Sequence, residues 1–233
     1  MGIWERPLCP CPLVSTVLPP FEGPSLDSIE QLNLDCLLSL ARTIKSGSPE
    51  DPCPADLFIA TIPIIGNELM ALLNTSLATG KVPAGFKSAM VTPLLKKAEA
   101  DPKDLKNYCQ ISLLPFPAKI MERQVTKVLT NFLEDQRVLH QHQSGFWANH
   151  STEMVMLSVL DELRLAADGN HSTTLILLDL SASFDTVNHQ ILLRWLAACG
   201  ISGSALLCVS SFLSGHSLKV QLGGFVSAAE PLK

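Results

Sequence analysis

"TTLILLDLSASFDTV", residues 173–187, is the stretch on which the reading of this chain turns. An apolar run from Leu175 to Leu178 delivers a carboxylate, Asp179, and after it come Phe184 and a second acid, Asp185. So apolar a run predicts a β-strand over 173–180, covered on both faces. A carboxylate at the C-terminal tip of such a strand sits where α/β proteins build sites. Buried and unpaired it would cost several kcal/mol, so it needs a cation or a set of N–H donors. The residues alone leave two readings open: a metal-holding acid, or a cap in which Asp179 or Ser181 accepts backbone N–H bonds at a turn.

Outward from this stretch, helices and strands interleave. Residues 1–24 hold six prolines and no sustained period, an extended or disordered lead-in. From Ser25 the recurrence of Leu26, Ile29, Leu32, Leu37, Leu40 and Ile44 predicts a helix capped by Ser25 or Asp27. "KSGSPEDPCP" breaks it, and a second helix is expected from about Pro63 to Ala78, ended by Gly80. "KSAMVTPLLKK" (87–97) reads as a strand in which Pro93 marks an edge or bulge. Amphipathic helices follow at about Pro117–Leu133 and from Ser151 or Thr152 to Gly169. Beyond the Asp179 stretch come helices at His189–Cys199 and Ser204–Leu213, then a strand at 217–222. The fold class is therefore α/β (α+β).

Composition bounds the function. A 233-residue chain, 47% hydrophobic and 17% charged, can bury a real core. The longest apolar run, Leu57 to Ile65, is interrupted by Pro63, so no membrane span is expected. The N-terminus lacks a secretory pattern, and an intracellular, soluble protein is the expectation. Seven cysteines without a CxxC pair point to reduced thiols and to neither zinc nor a disulfide scaffold. His140, His142 and His150 read as solvent-facing imidazoles in a turn. The net charge of −5 conceals a contrast: residues 81–127 carry 9 basic and 4 acidic side chains, a net of +5, and only this segment offers an anion a favourable field.

The residues after Asp179 favour the metal reading. Nucleotidyl transfer needs hard oxygen ligands for Mg²⁺, small residues that let backbone N–H groups approach phosphate, and a ring to pack on the sugar. Asp179, Ser181–Ala182–Ser183 and Phe184 supply those parts in order, while Asp185 reads as a structural hydrogen-bonding acid.

The segment "LILLDLSASFDTVNHQILLRWLAACGISGSALLCVSSFLSG" (175–215) resembles the first palm motif of reverse transcriptases from LINE-type, non-long-terminal-repeat retrotransposons. Upstream, "VPAGFKSAMVTPLLKKAEADPKDLKNYCQISLLPFPAKIMERQV" (82–125) is similar to their fingers segment, and "HQHQSGFWANHSTEMVM" (140–156) to the motif between fingers and palm. "SGSPEDPCPADLF" (46–58) is similar to the stretch linking their endonuclease and polymerase regions. The likeness runs from about residue 21 onward. It implies a partial right-hand fold: helix-rich fingers over 81–150 behind a helical extension over 25–80, then an incomplete palm sheet over 151–233. By the same resemblance Asp179 is the catalytic acid and a Mg²⁺ ligand together with the Leu180 carbonyl, and Phe184 screens the sugar. Lys96, Lys97 and Lys106 face triphosphate and template, and Gln143, Gly145 and Phe146 form a Q-x-G-F element that positions template and primer.

The chain departs from that pattern in places. "NYCQIS" (107–112) has Cys109 and Gln110 where the family has Arg and Pro, and a neutral thiol cannot make a bidentate, charge-assisted phosphate contact. Trp147 stands where Arg is usual, Asn188 where an acid is, and Ser183 where Ala is. No aromatic-x-Asp-Asp element occurs in the 233 residues. The resemblance thus implies an RNA-directed DNA polymerase segment that is inactive by itself, with RNA template and DNA primer as partners. Two further readings stand beside it: a non-catalytic nucleic-acid-binding or protein-interaction module, and a decayed reading frame without selected function. A palm strand lacking its neighbours is expected to expose an apolar edge and to self-associate.

Overall fold

The computed structural model describes residues 23–140, 142–180, 183–184 and 186–232. The Pro-rich lead-in through residue 22, and Ser181, Ala182 and Asp185, lie outside the described residues. The chain forms two compact units. One is Leu133–Asn188, and the other comprises the residues up to Phe132 together with those from His189 on.

The larger unit carries the sheet. Strand β1 (Ser88–Leu95) pairs antiparallel with β2 (Tyr108–Leu113), from Met90↔Leu113 to Leu95↔Tyr108. On its other side β1 runs parallel to β3 (Ser217–Leu222), but only from Ser88↔Ser217 to Val91↔Val220. Pro93 lies beyond that second ladder and faces only Gln110 of β2. A residue with no N–H to donate thus occupies a stretch with a single neighbour, as its place in the sequence suggested. Two short strands, β4 (Phe225–Val226) and β5 (Glu230–Pro231), both pair with β3, giving five strands in the sheet. The class is α/β in the mixed, α+β sense.

Helices bury the core against this sheet. Helix α1 (Leu34–Arg42) starts nine residues later than the periodicity from Ser25 implies. The upstream backbone is already engaged. Leu26 bridges to Ile201, its N–H on the Gly200 carbonyl at 2.8 Å, and its carbonyl accepts from Ser202 N at 2.9 Å. Leu32 donates to Asn74 Oδ1 at 2.7 Å and accepts from Asn74 Nδ2 at 2.9 Å. The helix then begins where Asn33 Oδ1 accepts the Cys36 N–H at 2.8 Å.

Helix α2 (Ala55–Thr79) departs in the opposite direction, starting before Pro63, which lies inside it. An interior proline costs about 3 kcal/mol. Ala55, Phe58, Ile62, Leu69, Leu73 and Leu77 form one buried stripe on both sides of the proline, packing on α1 and on α6 (Gly203–Phe212). At about 1.5–3 kcal/mol for each large side chain, that stripe outweighs the break. The 25-residue helix is long and apolar enough to cross a membrane by length and composition, with its stripe turned into this core. Gly80 ends it at φ 67°, and a Cβ there would come within 2.6 Å of Leu207 Cβ, so glycine also permits the approach of α6.

Helix α3 (Phe116–Asp135) supplies Phe116, Ile120 and Met121 to the core, Phe116 lying 4.5 Å from the ring of Phe58. Helix α5 (His189–Ala198) follows the smaller unit and contributes Leu196. Helix α4 (Thr152–Asp168) lies within the smaller unit, starting where Ser151 Oγ accepts from Met154 N and ending before Gly169.

The strand expected at 173–180 is not formed. Residues 171–180 have no ladder partner among the described residues and are exposed throughout, Leu178 at 89%. All the strands of the sheet belong to the larger unit. An apolar run becomes a covered strand only where a neighbour takes its N–H and C=O groups, and sequence pattern alone does not provide one. No described residue of Leu133–Asn188 is buried, so every core residue lies in the larger unit.

Candidate nucleic-acid interface

The proposed site residues divide between the two units, and each group has its own geometry. In the larger unit the three proposed lysines, Lys96, Lys97 and Lys106, lie in the β1–β2 loop. Lys96 opens it: its N–H bonds the Asn107 carbonyl at 2.8 Å and its Nζ donates to the Lys106 carbonyl at 2.8 Å. Asp101 Oδ1 accepts from Lys103 N at 2.9 Å and Asp104 Oδ1 from Lys106 N at 3.0 Å, while Tyr108 closes the loop on Pro102 through its hydroxyl at 3.1 Å. Lys96 therefore shapes the loop that holds Lys106, leaving the ammonium groups of Lys97, Lys103 and Lys106 exposed.

The loop is less basic than its segment. Residues 96–107 hold 4 lysines and 3 acids, a net of +1, so +4 of the +5 over 81–127 lies elsewhere on this unit. Cys109 and Gln110 follow on β2, both exposed.

A second polar group sits beneath α3. Asp51 accepts the Phe116 N–H at 3.1–3.2 Å and the Ser48 N–H at 2.7 Å, and Lys119 Nζ donates to the Ser46 carbonyl at 2.7 Å. Burial lowers the Lys119 ammonium, against the opposing pull of Asp51 and Glu122. Burial raises the Glu122 carboxyl, against Lys119 and Arg123. In each, desolvation outweighs attraction. Sequence reading gave Asp51 no role; its signal was an acid in a Pro-rich break ahead of an uncapped helix.

In the smaller unit, two residues named from separate motifs meet. The rings of Phe146 and Phe184 lie edge to face with centroids 5.8 Å apart at 83°. Phe146 has φ 62°, a left-handed conformation costing of order 1–3 kcal/mol for such a residue, and its side chain is 94% exposed. Gln143 Nε2 reaches the Gly145 carbonyl at 3.4 Å, so the Q-x-G-F residues Gln143, Gly145 and Phe146 share one turn. Trp147 stacks on His150, centroids 5.2 Å apart at 18°. That pair went unread, although an aromatic followed three residues later by histidine was the available signal.

Asp179 and Leu180 are exposed on the unpaired extended segment. Among the described residues no three His, Cys, Asp or Glu side chains converge as a metal would require. A divalent cation of the Mg²⁺ kind takes six oxygens and is usually anchored by one or two carboxylates plus substrate phosphate. Asp179 with the Leu180 carbonyl is a sparse fraction of such a shell. The described residues do not by themselves fit the ion, and no catalytic step follows from it.

The lysine-bearing loop, the Q-x-G-F turn and the acid-bearing segment occur in the order that marks reverse transcriptases, and the chain belongs to that family, in its LINE-type branch. Residues 95–229, over half of the chain, match the family described as reverse transcriptase (RNA-dependent DNA polymerase). The chain is 29% identical over 164 residues to the RNA-directed DNA polymerase from mobile element jockey of Drosophila melanogaster, covering 70% of this chain and 18% of that protein. It is 30% identical over 107 residues to the probable RNA-directed DNA polymerase from transposon X-element of the same fly, covering 46% and 12%. With the corresponding protein of transposon BS it shares 28% over 149 residues, covering 63% and 16%. The matches thus span less than a fifth of the length of these curated relatives.

Proposed function

We propose that residues 81–150 and 151–233 are the fingers and early palm of a retrotransposon RNA-directed DNA polymerase, behind a helical extension over 25–80, and that alone the chain contacts nucleic acid without polymerising it. The observation that carries this reading is the exposed, unladdered position of Asp179. In-line phosphoryl chemistry with two metals needs carboxylates converging from more than one strand, and one acid on an unpaired segment does not supply them. Cys109 in place of the phosphate-holding arginine weakens triphosphate binding further.

RNA template and DNA primer are the proposed partners, held loosely by Lys97 and Lys106 on the loop that Lys96 shapes, with Mg²⁺ the proposed ion of the complete enzyme. Scattered thiols support an intracellular setting, and the exposed apolar residues from Leu175 to Leu180 support self-association.

Primer extension and binding by the purified chain test the proposal together. Template-dependent synthesis with Mg²⁺ above background would overturn the inactivity. Binding to single-stranded RNA or DNA is expected to weaken with salt. Replacing Lys97 and Lys106 by Gln should flatten the log–log slope by about 0.7 for each phosphate that is no longer neutralised. An unchanged slope removes the lysines from the interface.

A further inference from the structure

We propose that the outer edge of β2 is a self-pairing surface, to which β2 of a second copy adds antiparallel about a two-fold axis at Gln110. This goes beyond the reading above and concerns the larger unit alone.

One contact fixes which groups of β2 turn outward. Lys96 N–H bonds the Asn107 carbonyl at 2.8 Å, in register with Leu94↔Cys109, Thr92↔Ile111 and Met90↔Leu113. Antiparallel ladders alternate bonded and non-bonded pairs, so these residues direct their N–H and C=O groups at β1. Tyr108, Gln110 and Ser112 then direct theirs to the other side, where β2 has no neighbour among the described strands. Pro93 agrees with this parity: it stands opposite Gln110, in a non-bonded pair that asks no donor of it. The Tyr108 N–H is held by the Leu105 carbonyl. The Tyr108 carbonyl and both backbone groups of Gln110 and Ser112 remain for a partner.

Natural edges are guarded by charge or proline. Asn107 to Leu113 carry neither, and Cys109 to Ser112 are exposed. Where the reverse-transcriptase pattern has Arg and Pro, a charge and a missing donor, this chain has a neutral thiol and an outward N–H. The outer side of β3, by contrast, is taken by β4 and β5.

The strand fits its own copy. Turned about Gln110, each Gln110 donates to the other's carbonyl, and each Ser112 N–H meets the Tyr108 carbonyl of the second copy. Small side chains meet large ones, Cys109 opposite Ile111 and Ser112 opposite Tyr108. Antiparallel addition carries the two Lys106 ammonium groups to opposite ends, whereas parallel addition would set them side by side. So short a contact makes the pairing weak and reversible.

The test uses concentrated full-length chain carrying Ile176→Lys and Leu178→Lys, which charges the exposed run of the other unit against association. One partner keeps Cys109, and the other carries Cys109→Ser with Ile111→Cys. Residues opposed in a non-bonded pair lie about 4.5 Å apart, within reach of a disulfide, while like residues lie on the diagonal at about 7–8 Å, beyond it. With oxidised glutathione the mixture is expected to form a 109–111 disulfide, identified by peptide mass, that neither chain forms alone. Gln110→Pro in both partners should lower its yield about tenfold, and Gln110→Ala should not. Should Gln110→Pro lower the thermal transition of the larger unit, Gln110→Lys in both partners replaces it, and pairing Gln110→Lys with Gln110→Glu should restore the yield. Equal yields from the mixture and from each chain alone overturn the pairing, as does a yield indifferent to Gln110→Pro and Gln110→Lys.

Discussion

The carboxylate of Asp51 accepts the backbone N–H of Phe116, 65 residues further along the chain, and so caps the first turn of α3 from outside it. An acid at a helix N-terminus satisfies an orphan donor and complements the helix dipole. The same carboxylate accepts from Ser48 N, which fixes the Pro-rich break between α1 and α2. A segment that read as a linker is thereby a structural clasp on the helix that supplies Phe116 and Ile120 to the core.

Asp51→Ala is expected to destabilise the larger unit by about 1–2 kcal/mol, the usual cost of losing a cap, read as a lowered urea midpoint. Gly47→Ala should act through the same group, since a Cβ at Gly47 would stand 2.0 Å from Asp51 Oδ2. Its effect should vanish in the Asp51→Ala background. Additive losses would show that Gly47 acts elsewhere.

Glu122 gives the unit a pH dependence of definite sign. Burial raises its folded carboxyl above the ordinary 4.5, so between the unfolded and folded values the native chain holds more protons than the unfolded one. Stability must then fall as pH rises through that window, and the penalty is fully present above it. Lys119, lowered by burial, works oppositely only in the alkaline range below 10.5. Urea midpoints between pH 4 and 7 should show Glu122→Gln with a flatter profile than the parent. Identical slopes would remove Glu122 as the cause.

The thiols should sort by environment. Burial pushes Cys208 up to about 11, leaving almost no thiolate near neutrality, whereas Cys109 is exposed on β2. Iodoacetamide followed by peptide mapping is expected to modify Cys109 early and Cys208 only on unfolding. Equal rates in the native chain would mean that α6 opens locally on the time scale of labelling.

What the sequence revealed followed the range of the forces involved. Helices α4, α5 and α6 and strand β3 lie within a residue or so of their expected bounds because caps and short periods set them locally. The starts of α1 and α2 were missed because Asn74, Ile201 and the stripe across Pro63 act from distant positions. Of the candidate site, Phe146 and Phe184 were each visible in the sequence as parts of separate motifs, but their meeting was not, because it depends on how the backbone folds between them. The Asp179 run failed as a strand because pairing is a property of two segments and periodicity describes one.

That failure has a measurable consequence. Leu175, Ile176, Leu177, Leu178 and Leu180 are all exposed, in a unit without a buried residue among those described. Unpaired N–H and C=O groups beside such side chains form a template for strand addition by another copy. Ile176→Lys with Leu178→Lys places charge on the run, a change that natural edges use against association. The double variant is expected to shift light-scattering or sedimentation profiles from oligomer toward monomer at micromolar concentration. The thermal transition of the larger unit, whose core these residues do not enter, should remain within the range of ordinary surface substitutions, about 0.5 kcal/mol. A parent chain that is already monomeric would show that the run is covered in solution and that the strand expected from the sequence finds a partner after all.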